Sequence, residues 1–328
     1  MAGVPALNYG EQIGQALLRQ LEAEPKALIL GEGVTDPKGI FGTCLPARDA
    51  FPERVIETPI SETMLTGALV GLALDGWHPI YVHARAEFSL LGWSQMVDTL
   101  AKWEWLHGTL MPVTIRCIVG RGWGQGPTHS QSFHGMTAWV RGLRTYVPVD
   151  PEKVGAMYAG MFRSLEPSIS FESRRMYDKE GLGIKHHPAL YDVVIYTVGD
   201  IIYEAALAQE ELLRNGVAAK VEPLEVIDPG MARPAAGCPV VLAGTSPGGL
   251  DMIYRFIKED FAPVPIEVVE PPNVPLGTAK RYEDDYYPDV REIVNAAYRA
   301  LNIDKTMTAR IGENSAPVAD STGMRSPF

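Results

Sequence analysis

A chain of 328 residues, 46% of them hydrophobic, is long enough to bury a large core and to divide into two domains. Its 40 acidic and 29 basic residues leave a net charge of -11, and no stretch clusters the Lys and Arg that phosphate contacts need, so nucleic acid is excluded as a partner. Three scattered cysteines, Cys44, Cys117 and Cys238, form neither a disulfide framework nor a zinc site and indicate a reducing compartment. No apolar run reaches the roughly 18 residues of a membrane span. The N-terminus carries Glu11, Glu22 and Glu24 without a signal pattern, so the expectation is a cytoplasmic protein with no membrane contact.

Ile13, Ala16, Leu17 and Leu21 fall at helical spacing within residues 8–23, and residues 27–33 read as a short buried strand ending in glycine. Residues 35–51, rich in Gly, Pro and Asp, read as a loop. The run R-V-I-E-T-P-I-S-E, Arg54 to Glu62, predicts a short strand stopped by Pro59, then a turn, then a helix through the small-residue segment ending at Gly76. Glu62 falls in the first helical turn, where free N–H groups and the macrodipole favour a carboxylate. Spacing alone makes it a capping acid. Residues 79–83 form a strand and residues 91–107 a helix, and the strand 112–119 runs into Gly120, Gly122, Gly124 and Gly126, followed by His129-Ser130-Gln131. Glycine at every second position removes the side chains a sheet would bury, so this is a loop built for close backbone approach. Without the lysine and spacing of a phosphate loop it is only a weak look-alike of one.

A strand at 167–172 precedes the best interdomain linker, residues 178–188. The neighbouring His186 and His187 in that extended segment point opposite ways, which favours a solvated linker over a metal site, and no metal ligand set is expected in this chain. Strands at 191–199, 218–226, 239–244 and 265–269, with a helix at 201–215 closed by Gly216, give a second β/α domain. The fold class is α/β: two domains, 1–184 and 189–303, each a mostly parallel sheet flanked by helices, with residues 304–328 as a flexible tail.

The run R-V-I-E-T-P-I-S-E followed by T-G-A-L-V-G-L-A-L-D-G-W-H-P-I resembles the thiamine-diphosphate-dependent transketolase-like family, specifically the beta subunit of the decarboxylating component of 2-oxo acid dehydrogenases. The glycine-rich loop ending in H-S-Q resembles the loop that lines that family's active-site entrance. The likeness covers residues 8–303, dense over 54–150 and thin over 227–265. It implies a transketolase-like pyrimidine-binding domain and a transketolase C-terminal domain, and it gives Glu62 the role of activating the cofactor through the pyrimidine nitrogen. It further makes Ile60 and Phe88 cofactor contacts, with core packing an equal reading for Phe88. His129 becomes the proton carrier near substrate, against the simpler reading of a loop histidine bonded to Ser130. Arg85 stands where the family has a ring; it is either a surface ion pair or, with Ser130 and Gln131, part of a substrate channel for anions. Trp139 occupies the position of a second family histidine, and His134 is no assured replacement.

The Mg²⁺-binding G-D-G and following Asn of thiamine enzymes are missing, since Gly199-Asp200-Ile201 has the wrong third residue and Asn215 comes too early. The resemblance therefore implies an alpha subunit that holds the diphosphate and Mg²⁺, an α2β2 heterotetramer, and a lipoyl-bearing acyltransferase as a further partner. The activity implied is decarboxylation of a pyruvate-like or branched 2-oxo acid with transfer of the acyl or aldehyde unit. A split transketolase moving a two-carbon unit and a non-catalytic scaffold subunit are the alternatives.

Overall fold

The computed structural model describes residues 7–261 and 263–309. The chain forms two compact units, one of residues 1–120 and 131–181, the other of residues 121–130 and 182–328. The ten residues of the glycine-rich loop, which sequence reading leaves in the first domain, thus group with the second.

The first unit is built on a six-stranded parallel sheet in the order β2-β1-β3-β4-β6-β5. Its strands are β1 (Ala27–Gly31), β2 (Val55–Glu57), β3 (His78–His83), β4 (Thr114–Val119), β5 (Arg144–Tyr146) and β6 (Ser168–Ser173). β1, β3, β4 and β6 are buried at every residue, as expected of parallel strands covered on both faces. Helix α1 (Tyr9–Ala23) starts at a capping box in which Asn8 accepts from the Glu11 amide and Glu11 accepts from the Asn8 amide. It buries Tyr9, Ile13, Ala16, Leu17 and Leu21, the stripe its spacing predicts. The segment 35–51 is not all loop: residues Leu45–Ala50 form α2, with Pro46 in its first turn, where a missing N–H costs nothing. Helices α3 (Glu62–Leu74), α4 (Ala101–His107), α5 (His134–Ala138) and α6 (Val154–Arg163) complete the unit. The single helix expected over 91–107 is instead a 3-10 segment, Ala86–Gly92, and a π turn, Gln95–Leu100, leading into α4.

One buried cluster was not legible beforehand. Arg116 of β4 and Glu172 of β6 are fully buried and paired in fork geometry, at 2.8 Å from Nε to Oε1 and 2.9 Å from Nη2 to Oε2. Thr43 accepts from Arg116 at 3.1 Å, while the hydroxyls of Tyr177, at 2.7 Å, and Tyr158 donate to Glu172. Burial alone would push the Glu172 carboxyl up, but the Arg116 guanidinium outweighs it and holds the group below its ordinary range.

β3 also carries two histidines held neutral by burial. The pKa of His78 falls to about 4 and that of His83 to about 3. Unfolding lets each take up a proton near 6.5, so between pH 6.5 and the folded values the unfolded state binds more protons and stability falls as pH falls. The expected slope is about 1.4 kcal/mol per pH unit for each histidine. Urea unfolding should give a plateau from pH 8 to 7 and a decline already clear between 6.5 and 5, halved in His83→Phe. A flat profile over that window would contradict the burial of these rings.

The second unit carries a four-stranded parallel sheet in the order β10-β9-β7-β8. Its strands are β7 (Val193–Val198), β8 (Ala219–Pro223), β9 (Val240–Gly244) and β10 (Ile266–Val269), and its helices α7 (Ile202–Arg214), α8 (Asp251–Asp260), α9 (Lys280–Tyr286) and α10 (Val290–Ala300). α10 opens on a capping box between Asp289 and Glu292. Of the tail expected from residue 304, Met307 exchanges two hydrogen bonds with the Asn295 side chain, at 2.7 and 3.1 Å; residues 310–328 lie outside the described residues.

Candidate active site

Parallel strands put all their C-terminal ends on one edge of a sheet, the usual place for a ligand. In the first unit that edge receives the turn after β1, the turn from β2 to α3 and the segment after β3. Glu57 closes the first of these. Burial raises its carboxyl, yet the amides of Gly33, at 2.6 Å, and Thr35, at 3.1 Å, together with the Thr35 hydroxyl, hold it below its ordinary range.

Pro59 and the bend at Ile60 end the strand direction, and Glu62 is the first residue of α3. It is 7% exposed, and the helix start has no side-chain cap. Among the described residues no hydrogen bond to its carboxylate is found. A capping acid would be spent on its own helix; Glu62 is not. Its charge reaches the neighbouring Glu32 and Tyr81, both of which titrate higher than usual, chiefly through burial and then through Glu62. Glu32 was not singled out in the sequence, where its only signal is its place after the first strand.

The other site candidates divide between the units. Phe88 and Arg85 are half-buried beside Glu87 in the segment after β3, and Ile60 is 81% exposed. The Arg85 guanidinium donates to the Ala84 carbonyl at 2.6 Å and lies 5.8 Å from the Phe41 ring centroid, with Arg174 4.9 Å from the same ring. Gln131 belongs to this unit as well, its amide donating to Glu87 at 2.8 Å. His129 and Ser130 belong to the second unit. The half-buried His129 ring is oriented by Thr128, whose Oγ1 is 2.8 Å from Nδ1. Ser130 is fully buried, accepting from the Gln125 amide with its hydroxyl and from the Tyr287 hydroxyl with its carbonyl.

His134 is fully buried against Phe171 and hydrogen-bonded to Ser132 at 2.8 Å, a core histidine, and Trp139 lies half exposed at the end of α5. Asp200, the only acid in the G-D-G-like phrase, is committed to Arg121 at 2.7 Å, and the Asn215 side chain closes α7 on Glu211. Among the described residues no group of three His, Cys, Asp or Glu is placed to hold a metal ion.

The first unit is thus an all-parallel α/β domain with a buried carboxylate, Glu62, at the C-terminal edge of its sheet, the edge where such domains bind ligands. The chain belongs to the family of the transketolase pyrimidine-binding domain, whose family model matches residues 6–179. It is 25% identical to the pyruvate dehydrogenase E1 component subunit beta-1, mitochondrial, of Arabidopsis thaliana, over 91% of this chain and 90% of that one. It is 24% identical to the acetoin:2,6-dichlorophenolindophenol oxidoreductase subunit beta of Cupriavidus necator, over 88% and 96%. Among solved structures it is similar to a split gene transketolase, described as an inactive beta4 tetramer, with a TM-score of 0.72 and 20% identity over 92% of this chain and 100% of that one. That last likeness concerns the fold. Among the described residues no helix is long and apolar enough to cross a membrane.

Proposed function

We propose that this chain is the beta subunit of a heteromeric thiamine-diphosphate-dependent 2-oxo acid decarboxylase or dehydrogenase. The observation that carries the reading is Glu62: a buried carboxylate with no hydrogen bond to it among the described residues, at the start of a helix in a pyrimidine-binding domain. The donor set fits the pyrimidine end of the cofactor, with an acid for the ring nitrogen and Phe88 and Ile60 for an apolar wall. It does not fit the diphosphate end, because Asp200 is taken by Arg121. Mg²⁺ and the diphosphate are therefore assigned to an alpha subunit, a partner in keeping with relatives that are themselves named beta subunits. The full proposal is an α2β2 assembly that hands its product to a lipoyl-bearing acyltransferase.

When bound, thiamine diphosphate supplies the carbon nucleophile and electron sink that decarboxylation requires. Glu62 holds a proton at the pyrimidine nitrogen and returns it as the cofactor cycles. His129, steered by Thr128, carries a proton at the substrate, and Ser130 and Gln131 continue the channel wall. Arg85 draws an anionic substrate toward that channel. Three buried free thiols are in keeping with a cytoplasmic setting.

Calorimetric titration tests the two-chain reading. The purified chain should bind thiamine diphosphate with Mg²⁺ roughly a hundredfold more weakly than the chain mixed with a phosphate-binding partner. Tight stoichiometric binding by this chain alone would overturn it.

A further inference from the structure

Gly122, Gly124 and Gly126 all adopt positive φ, the backbone habit that turns successive amides inward to make an anion-binding concavity. The anion in that concavity is the protein's own. Glu283 of α9, 1% exposed, accepts from the Gly122 amide with one carboxylate oxygen and from the Gly124 amide, at 2.8 Å, with the other. The Ser130 side chain hydrogen-bonds the same carboxylate. The approach is close enough to demand glycine: a Cβ on Gly124 would come within 2.1 Å of the Lys280 nitrogen, and one on Gly126 within 2.4 Å of the Thr278 hydroxyl. Ala279, at the contact, takes φ 142°, a region few L residues occupy. At either end of the loop the same element holds on: Arg121 stacks 4.0 Å from the Tyr287 ring centroid, and the Tyr287 hydroxyl donates to the Ser130 carbonyl at 2.6 Å.

We propose that Glu283 is a positioning residue, whose two carboxylate oxygens hold the amides of Gly122 and Gly124 and so fix the loop that presents His129. Its catalytic consequence rests on the role given to His129 above; the contact itself does not. Gln at 283 keeps the size but turns an N–H₂ toward one of the two glycine amides, so one bond is lost and a donor faces a donor. Asp keeps both acceptors on a shorter stem.

Hydrogen exchange on the full chain reads the loop directly. Glu283→Gln should raise exchange of the amides within 122–130 by about tenfold or more while β7 and β9 stay protected. Glu283→Asp should be intermediate. Tyr287→Phe, which removes only a hydroxyl, should loosen the Ser130 end alone. In the enzyme assembled with its partner, Glu283→Gln should lower kcat with little change in KM, and Glu283→Asp should recover part of it. Unchanged exchange in Glu283→Gln overturns the proposal, as does a loosened loop with unaltered kcat. An assembled wild-type enzyme that turns over no 2-oxo acid defeats the proposed function, while the exchange result still decides the contact.

Discussion

Glu62→Gln should lower turnover of the assembled enzyme at least about a hundredfold while leaving assembly and thermal stability near wild type. The amide matches the carboxylate in shape but cannot hold and return a proton. Stability should hardly move, because no hydrogen bond to this carboxylate is found among the described residues. A structural acid behaves the other way: its loss shows in the unfolding midpoint and leaves kcat alone. Steady-state rates with a panel of 2-oxo acids, set beside urea unfolding of the same variant, separate the two outcomes. Near-normal turnover in Glu62→Gln removes this residue from the chemistry.

The second large effect belongs to the pair buried between β4 and β6. Arg116→Met leaves the Glu172 carboxylate fully buried without its cation, with the Tyr158 and Tyr177 hydroxyls as its remaining partners among the described residues, which should cost about 3–5 kcal/mol in urea unfolding. Removing the second charge as well, in Arg116→Met with Glu172→Leu, should recover a large part of that loss, since an apolar pair of similar volume no longer strands an ion. If the double variant is as unstable as the single one, packing and not charge pairing sets the cost. The two tyrosines would then be the groups left wanting partners.

Most strands and about half the helices were legible because periodicity and glycine breaks are local signals: β1, β3, β4 and the four strands of the second unit fall within a few residues of where patterning puts them, whereas α2, α5 and α9 carry no such pattern. Glu62 was legible as a first-turn acid, but its freedom from capping was not, since that depends on where the carboxylate points. Arg116 and Glu172 lie 56 residues apart, and nothing in T-I-R-C-I-V announces that its arginine will be buried against an acid on the next strand. The glycine-rich loop was read correctly as one that lets backbone come close to something. What it approaches, Thr278 to Glu283, lies more than 150 residues on and has no local mark beyond an ordinary acid in a short helix.

That separation bears on how the chain is made. Arg121 must wait for Asp200, 79 residues later, and the Gly122 and Gly124 amides for Glu283, 161 and 159 residues later. At ribosomal speeds of about 5–20 residues per second, the decapeptide is exposed for on the order of ten to thirty seconds after synthesis before its last anchor exists. A nascent chain can complete the six-stranded sheet during that interval and still lack a settled segment between β4 and α5. No single cut yields two complete pieces, because a fragment ending at Gly181 keeps the loop and loses Asp200, Glu283 and Tyr287, which anchor it.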